Sequence, residues 1–498
     1  MSGTSGLERL PSGVEGLDAI LRGGFLRAGV YIVQGTPGAG KTILGNQVAY
    51  HHAAQGGQVL YVTLLAEMQA RMLLHLGSLR FFDPALIPSA LVYLSAFTVL
   101  EEKGLKGLLA LLRHELQARR ASLLVLDGLV TAEAQARSRT EFKKFIHELQ
   151  AQASLAGCTM LLLTSAPTDR EVSPEHTMVD GIIELDDRLY GFRAERGLTV
   201  RKFRGDSFLR GRHPFRITEE GLVVYPRFVA LYARPSRPDE AWRSRLSTGV
   251  SDLDAALGGG IPAASTTALV GASGTGKTSL GLHFLARASA AEPGLLFGFF
   301  ESPPRLLGKA ARLGLELEAV VGRGEVEILW QAPTEGIMDA LAHRLLGAVR
   351  RRGVRRLFVD GLGGFIETAA DPGRISSFFA ALANELRAQG VTTLYTLETR
   401  DLVGSDVLMP VNGISSLVEN MLLLRFVEHE ARLRRLLAVA KVRDSDHDPR
   451  LHELLISDRG MVLTDAFAGA REVLSGYARA GRGPGGEGRP PRAGRGRG

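Results

Sequence analysis

The chain has one cysteine, Cys158, in 498 residues. No disulfide can form within it, and a reduced, cytoplasmic setting is expected. Uncharged apolar runs are also scarce. None approaches the roughly 18–20 residues that cross a bilayer, so no membrane span is expected. The opening residues, MSGTSGLERLPSG, have no basic segment followed by an apolar one and do not read as a secretory signal. Nor does the foldable part carry an excess of one charge. The formal net charge is +7, but residues 478–498 hold six Arg and one Glu, which leaves +2 for the first 477. A body so close to neutral argues against a broad nucleic-acid-binding surface.

The sequence has instead a repeat. Residues 11–24 read PSGVEGLDAILRGG and residues 247–260 read STGVSDLDAALGGG, with Gly13 matching Gly249 at an offset of 236. GTPGAGKT matches GASGTGKT, again at 236. LLVLDG matches LFVDG with Asp127 and Asp360 offset by 233, and Lys202-Phe-Arg204 matches Lys441-Val-Arg443 at 239. Four landmarks in one order at nearly one spacing mean a duplicated domain. The expected domains are 1–228 and 246–470, with a Pro-containing linker at 229–245. The tail 478–498, rich in Gly, Arg and Pro, has too little apolar content to offset ordering and is expected to be disordered. Within each copy short apolar runs (Val30 to Gln34, Gln58 to Leu65, Leu123 to Leu126, Thr159 to Leu163) alternate with helical periodicity, as in Leu105 to Arg119. That alternation predicts an α/β fold, each copy a mainly parallel sheet flanked by helices. ITEEGLVVYP and ISDRGMVL predict a hairpin near the end of each copy.

The glycine-rich segments follow an apolar run and open a helix, the setting of a P-loop. One comprises Gly35, Thr36, Pro37, Gly38, Ala39, Gly40, Lys41 and Thr42. The other comprises Gly271, Ala272, Ser273, Gly274, Thr275, Gly276, Lys277 and Thr278. Glycines let backbone N–H groups wrap phosphates, and the helix N-terminus adds positive potential. Lys41 and Lys277 are expected on the β/γ-phosphates of ATP, and Thr42 and Thr278 on Mg²⁺. Asp127 and Asp360 each end an apolar strand, which places them at the sheet edge beside the loop to hold the same Mg²⁺. A hydrolytic site also needs a group to orient water. Glu301, 24 residues after Lys277, and Glu67, 26 residues after Lys41, are the candidates.

Together these residues resemble the KaiC family of RecA-like ATPases, over nearly the whole chain to about residue 465. The likeness includes the S-x-G-x-x-x-L-D opening, both P-loops, both aspartates, both K-x-R elements and SSLVENMLLLRFVE (415–428). The resemblance implies tandem RecA-like domains in a homohexamer of two stacked rings, with ATP between neighbouring subunits. Lys202, Arg204, Lys441 and Arg443 would then reach the nucleotide of the adjacent subunit. It also implies two adjacent catalytic glutamates after the second strand. The second copy is read as keeping the first, Glu301, with Ser302 in place of the other. The first copy has Leu65 and Ala66 where the pair is expected, with Glu67 just beyond or at the second place. First-copy hydrolysis is therefore in doubt, and that copy is read as binding ATP to hold the ring. Ser415 and Ser416 align with the neighbouring Ser/Thr pair that the clock protein of this family phosphorylates on itself.

The function expected is an ATP-hydrolysing signalling or timing switch with serine autokinase activity on its second domain and an unidentified regulatory protein as partner. Two alternatives stand beside it: a RecA/RadA-like DNA-dependent ATPase, and a nucleotide-gated scaffold without turnover. The tail has no aromatic after Tyr477 to stack on bases. Nucleic-acid binding is expected there only weakly, through charge.

Overall fold

The computed structural model describes residues 8–65, 69–165, 178–238, 244–332, 336–399, 417–429, 432–443, 445–465, 470–471 and 477–480. The chain divides into two compact units near Ala233 and Arg234. Each is an α/β unit on a large sheet.

In the first unit nine strands run in the order Gly221–Val224, Arg212–Thr218, Arg193–Phe203, Gly181–Tyr190, Val30–Gly35, Thr159–Thr164, Leu123–Asp127, Val59–Thr63, Leu91–Ser95. From Gly181–Tyr190 to Leu91–Ser95 the pairing is parallel; the other side is an antiparallel meander. The second unit repeats this order: Gly460–Thr464, Leu451–Ser457, Arg432–Val442, Asn420–His429, Thr266–Gly271, Thr392–Glu398, Arg356–Asp360, Gly294–Gly298, Val326–Trp330. Even the irregularity in the first antiparallel pair recurs, between Ile182 and Ile183 and between Met421 and Leu422. The central strands Val30–Gly35 and Thr266–Gly271 are covered on both faces, which is why consecutive positions in them, Val30–Val33 and Ala268–Val270, are apolar. The expected hairpins appear as the last two antiparallel strands of each unit. The helix expected over Leu105–Arg119 starts earlier, at Phe97, across the non-helical Gly104.

The repeated opening motif is a clamp. The Asp18 carboxylate accepts from the Ser12 backbone N–H at 2.9 Å, and Asp254 accepts from the Thr248 N–H and hydroxyl, both at 2.7 Å. Arg9 and Arg245 donate to the carbonyls of Leu21 and Gly24, and of Leu257 and Gly260. Strand Tyr477–Ala480 pairs with Glu428 and His429, which takes the first residues of the expected tail into the second sheet. Residues 481–498 lie outside the described residues.

Each helix after a phosphate loop presses a glycine onto the sheet. A Cβ on Gly281 would meet the Phe358 ring at 2.1 Å, whereas on Gly45 it would meet the Leu163 methyl at 2.8 Å. The helix would gain about 0.5–1 kcal/mol from alanine, but forcing a methyl into a packed ring costs about 1–3 kcal/mol. Gly281→Ala is therefore expected to lower the thermal midpoint by several degrees and Gly45→Ala by clearly less, as read by calorimetry. Equal midpoints would contradict this account of the packing.

Candidate nucleotide sites

The phosphate loops leave the C-terminal ends of the central strands. Gly40 and Gly276, at φ 103° and 107°, turn the chain into the helices Lys41–Ala54 and Lys277–Ala286, a conformation that residues with a Cβ rarely adopt. Lys41 Nζ donates to the Gly35 and Thr36 carbonyls at 2.9 Å each, and Lys277 Nζ to Gly271 and Ala272 at 2.6 and 2.7 Å. Each ammonium is thus held against the loop it would serve. Burial pulls both lysines below the ordinary lysine range, opposed by Asp127 at the first and by Glu398 and Asp360 at the second. Burial likewise raises Asp127 and Asp360 above the usual carboxylate range. Desolvated charges of both signs, side by side, suit a phosphate-bound cation.

Thr42 Oγ1 donates to Asp127 Oδ2 at 2.9 Å, and Thr278 Oγ1 to Asp360 Oδ1 at 3.2 Å. A hydroxyl and a carboxylate are hard oxygen donors of the kind Mg²⁺ takes alongside phosphate oxygens and water. Among the described residues no group of three or more His, Cys, Asp or Glu side chains could hold a metal alone. The pair therefore fits a metal that arrives with a nucleotide. The partners behind the two aspartates differ. Asp360 Oδ1 also accepts from Thr396 Oγ1 at 3.0 Å, whereas Asp127 Oδ2 accepts from Tyr61 OH at 3.0 Å.

In the second unit the loop opens on a cavity of about 670 Å³ lined by Gly274, Lys277, Thr278, Phe300, Glu301 and Asp360, among others. The Glu301 carboxylate forms an ion pair with Lys309, on helix Pro303–Arg312. Arg435 reaches the loop from the long hairpin, donating to the Gly274 carbonyl at 3.2 Å with its guanidinium 5.6 Å from the Phe426 ring centroid. Strand pairing fixes how the two copies correspond here. Thr63 lies beside Asp127 and Gly298 beside Asp360, so Leu65 answers to Phe300, and by count along the sequence position 66 answers to Glu301. Counted on, this sets Glu301 and Ser302 against positions 66 and 67, in line with the alternative in which Glu67 takes the second place of the pair. Phe300 is exposed, and a Cβ on Gly361, next to Asp360, would meet its ring at 2.5 Å. Ala66 and Glu67 lie outside the described residues, as do Ser415 and Ser416.

The K-x-R residues sit toward the other end of the same sheets. Lys202 pairs with Ile182, which pairs with Ile32, and Arg204 N–H donates to the Asp180 carbonyl at 2.7 Å. The Asp180 carboxylate in turn accepts from Val30 N–H, the first residue of the central strand, at 2.9 Å. In the second unit the Arg443 N–H donates to the Glu419 carbonyl at 3.1 Å, and the Glu419 carboxylate accepts from Thr266 N–H at 2.8 Å. Lys441 donates to the Val418 carbonyl at 2.8 Å. Along the central strand Lys202 and Lys441 are level with Ile32 and Ala268, roughly 10 Å before the loop, while Arg204 and Arg443 lie by its first residues, roughly 17 Å before it. The structure thus brings together loop lysine, threonine and aspartate, with Glu301 in the second unit, and keeps the K-x-R cations away from the loop of their own unit. Tyr61, Lys309 and Arg435 were not found from sequence. Tyr61 reads as one more apolar strand residue, and a lysine eight positions after a glutamate carries no signal by itself.

A family model described as the KaiC ATPase matches residues 10–228 and again residues 246–466. Proteins named circadian clock oscillator protein KaiC are similar over nearly the full length. The one from Parathermosynechococcus lividus is 25% identical over 490 residues, covering 96% of this chain and 89% of its own. That of Prochlorococcus marinus subsp. pastoris is 24% identical over 482 residues (94% and 93%), and that of Synechococcus elongatus 26% over 482 residues (93% and 90%).

Proposed function

Because the chain belongs to the KaiC ATPase family, with an ATPase domain of that family in each half, we propose that it is an ATP-hydrolysing signalling or timing switch. It works as a homohexamer in the cytoplasm, with ATP held between neighbouring copies and an unidentified regulatory protein reading its state. The observation that carries this is the distance between each K-x-R pair and its own loop. Cations set back from their own loop in this way are placed to serve a nucleotide in another copy, and that ties assembly to nucleotide state.

The residues divide the work by chemistry. Lys41 and Lys277 offset phosphate charge, and Thr42 with Asp127 and Thr278 with Asp360 hold Mg²⁺. Held there with a nucleotide, Mg²⁺ would supply charge neutralisation to the phosphates. In the second domain Glu301 orients the attacking water, and Lys309 fixes where its carboxylate points. The first domain, with Leu65 and Ala66 where the pair is expected and Glu67 just beyond or at its second place, binds ATP chiefly to hold the ring. Ser415 and Ser416 are the proposed acceptors of an autokinase reaction. Ser302 favours one other reading, a nucleotide-gated scaffold: a hydroxyl stands where the second carboxylate of the pair is expected.

One sample tests these together, with size, turnover and phosphate incorporation followed with and without Mg-ATP. The expected results are ATP-dependent growth to a hexamer, turnover, and phosphate on Ser415 or Ser416. Glu301→Gln should keep ATP binding and lose about 100-fold in turnover, the scale of a general-base contribution. Turnover unchanged in that variant removes Glu301 from the mechanism. No turnover in the wild type, with ATP bound, selects the scaffold. Bound ATP without phosphate on either serine ends the autokinase part.

A further inference from the structure

Behind the first-domain loop lies a closed ring of hydrogen bonds that the second domain lacks. Thr42 Oγ1 donates to Asp127 Oδ2 at 2.9 Å, and Tyr61 OH donates to the same oxygen at 3.0 Å. Asn46 Nδ2 donates to Tyr61 OH at 3.1 Å and to the Thr42 carbonyl at 2.8 Å, which closes the circuit on the residue where it began. Asn46 Oδ1 then accepts from Tyr93 OH at 2.7 Å, and Tyr93 OH lies 3.4 Å from Tyr50 OH. Tyr61 and Asn46 are fully buried.

The other repeat shows that the fold does not need this. By strand register Tyr61 corresponds to Leu296 and Tyr93 to Ile328. By position along the loop helix Asn46 corresponds to Leu282 and Tyr50 to Ala286. All four polar side chains are thus replaced by aliphatic ones. Buried polar groups need every partner in place, and a partly satisfied network is worse than an apolar core. The whole set therefore stands or falls as a unit, and the apolar set supports the same helix on the same strands. What the ring adds is local. It locks the Thr42 hydroxyl, the Thr42 carbonyl and the Asp127 carboxylate, two of which are the metal-holding groups. In the second domain Asp360 accepts from Thr278, on the loop helix, and from Thr396, whose hydroxyl accepts from the Gly361 N–H instead of from a side chain of that helix.

We propose that Tyr61 and Asn46 are positioning residues of the first nucleotide site, which preorganise Thr42 and Asp127 so that this domain retains Mg-nucleotide more firmly than the second. Groups behind metal ligands act in this way, and removing one typically costs 10–100-fold in metal affinity. The proposal rests on the reading of the first loop as an ATP site and gives that site its division of labour: a long-held nucleotide at the first site and turnover at the second.

The test uses the full chain with Lys277→Ala, so that only the first loop reports, and a fluorescent ADP analogue titrated with Mg²⁺ or with EDTA. Tyr61→Phe should lose about 10-fold or more of the Mg-linked gain in affinity, with the EDTA affinity unchanged. Asn46→Leu should do the same; it leaves the Tyr61–Asp127 bond intact and serves if the first variant does not fold. In an Asp127→Asn background neither change should have further effect. An unchanged Mg-linked gain in a folded variant, or an equal fall with Mg²⁺ and with EDTA, overturns the positioning role. If the Lys277→Ala parent itself binds no nucleotide with Mg²⁺, the reading of the first loop fails too.

Discussion

Lys277→Ala is expected to lower ATP turnover by about 100–1,000-fold, the scale for losing one preorganised group on developing charge, while Lys41→Ala leaves most turnover and weakens assembly. The second cavity has other cations, but each has its own engagement. Lys309 is paired with Glu301, and Arg435 is on the Gly274 carbonyl and the Phe426 ring. Lys277 alone among these three follows the loop glycines and opens the helix whose next residue, Thr278, donates to Asp360. Without it the pocket keeps the carboxylates of Asp360, Glu301 and Glu398 and loses the charge that offsets them, so a nucleoside triphosphate is repelled. The first loop has the same lysine geometry, but by the strand count position 66, an alanine, answers to Glu301. Nucleotide held there contributes to the ring more than to turnover. Steady-state phosphate release and light scattering on both variants separate these roles. Equal loss of turnover in the two would place hydrolysis in both domains.

The sequence carried most of the fold because the fold is said twice. Strand–helix alternation in one copy leaves topology open, whereas four landmarks at one spacing make the second copy a control on the first. The loops were legible for a local reason: glycine spacing and the following lysine sit within eight residues. What stayed hidden depends on strands distant in sequence. Tyr61 meets Asp127 only because Val59–Thr63 lies against Leu123–Asp127, and no pattern near residue 61 distinguishes a tyrosine that serves a carboxylate from one that fills a core. The first-copy counterpart of Glu301 was open by one residue for the same reason. A strand end is counted from its pairing partner, and Gly298 beside Asp360 supplies the count. Lys309 needed a helix, Pro303–Arg312, to bring it back to Glu301.

Arg443→Ala and Lys441→Ala are expected to reduce turnover as severely as Lys277→Ala, although neither residue approaches the loop of its own domain. A cation supplied across an interface to a phosphoryl group contributes about 1,000-fold or more. A mixing experiment distinguishes this from damage to the sheet. In a ring, an interface between a Lys277→Ala copy and an Arg443→Ala copy can combine the intact loop of one with the intact cation of the other. Random assembly of equal amounts gives about a quarter of interfaces that combination in a closed ring of like subunits. Two inactive proteins, mixed with Mg-ATP, should therefore recover a sizeable part of wild-type turnover, and lose it again on dilution below the concentration that assembles the ring. If the cations act within their own domain, no mixture can restore a complete site, because every chain lacks one part of it. Turnover that stays at the level of the separate variants, in particles shown by light scattering to be mixed, would mean that the nucleotide is not shared between copies.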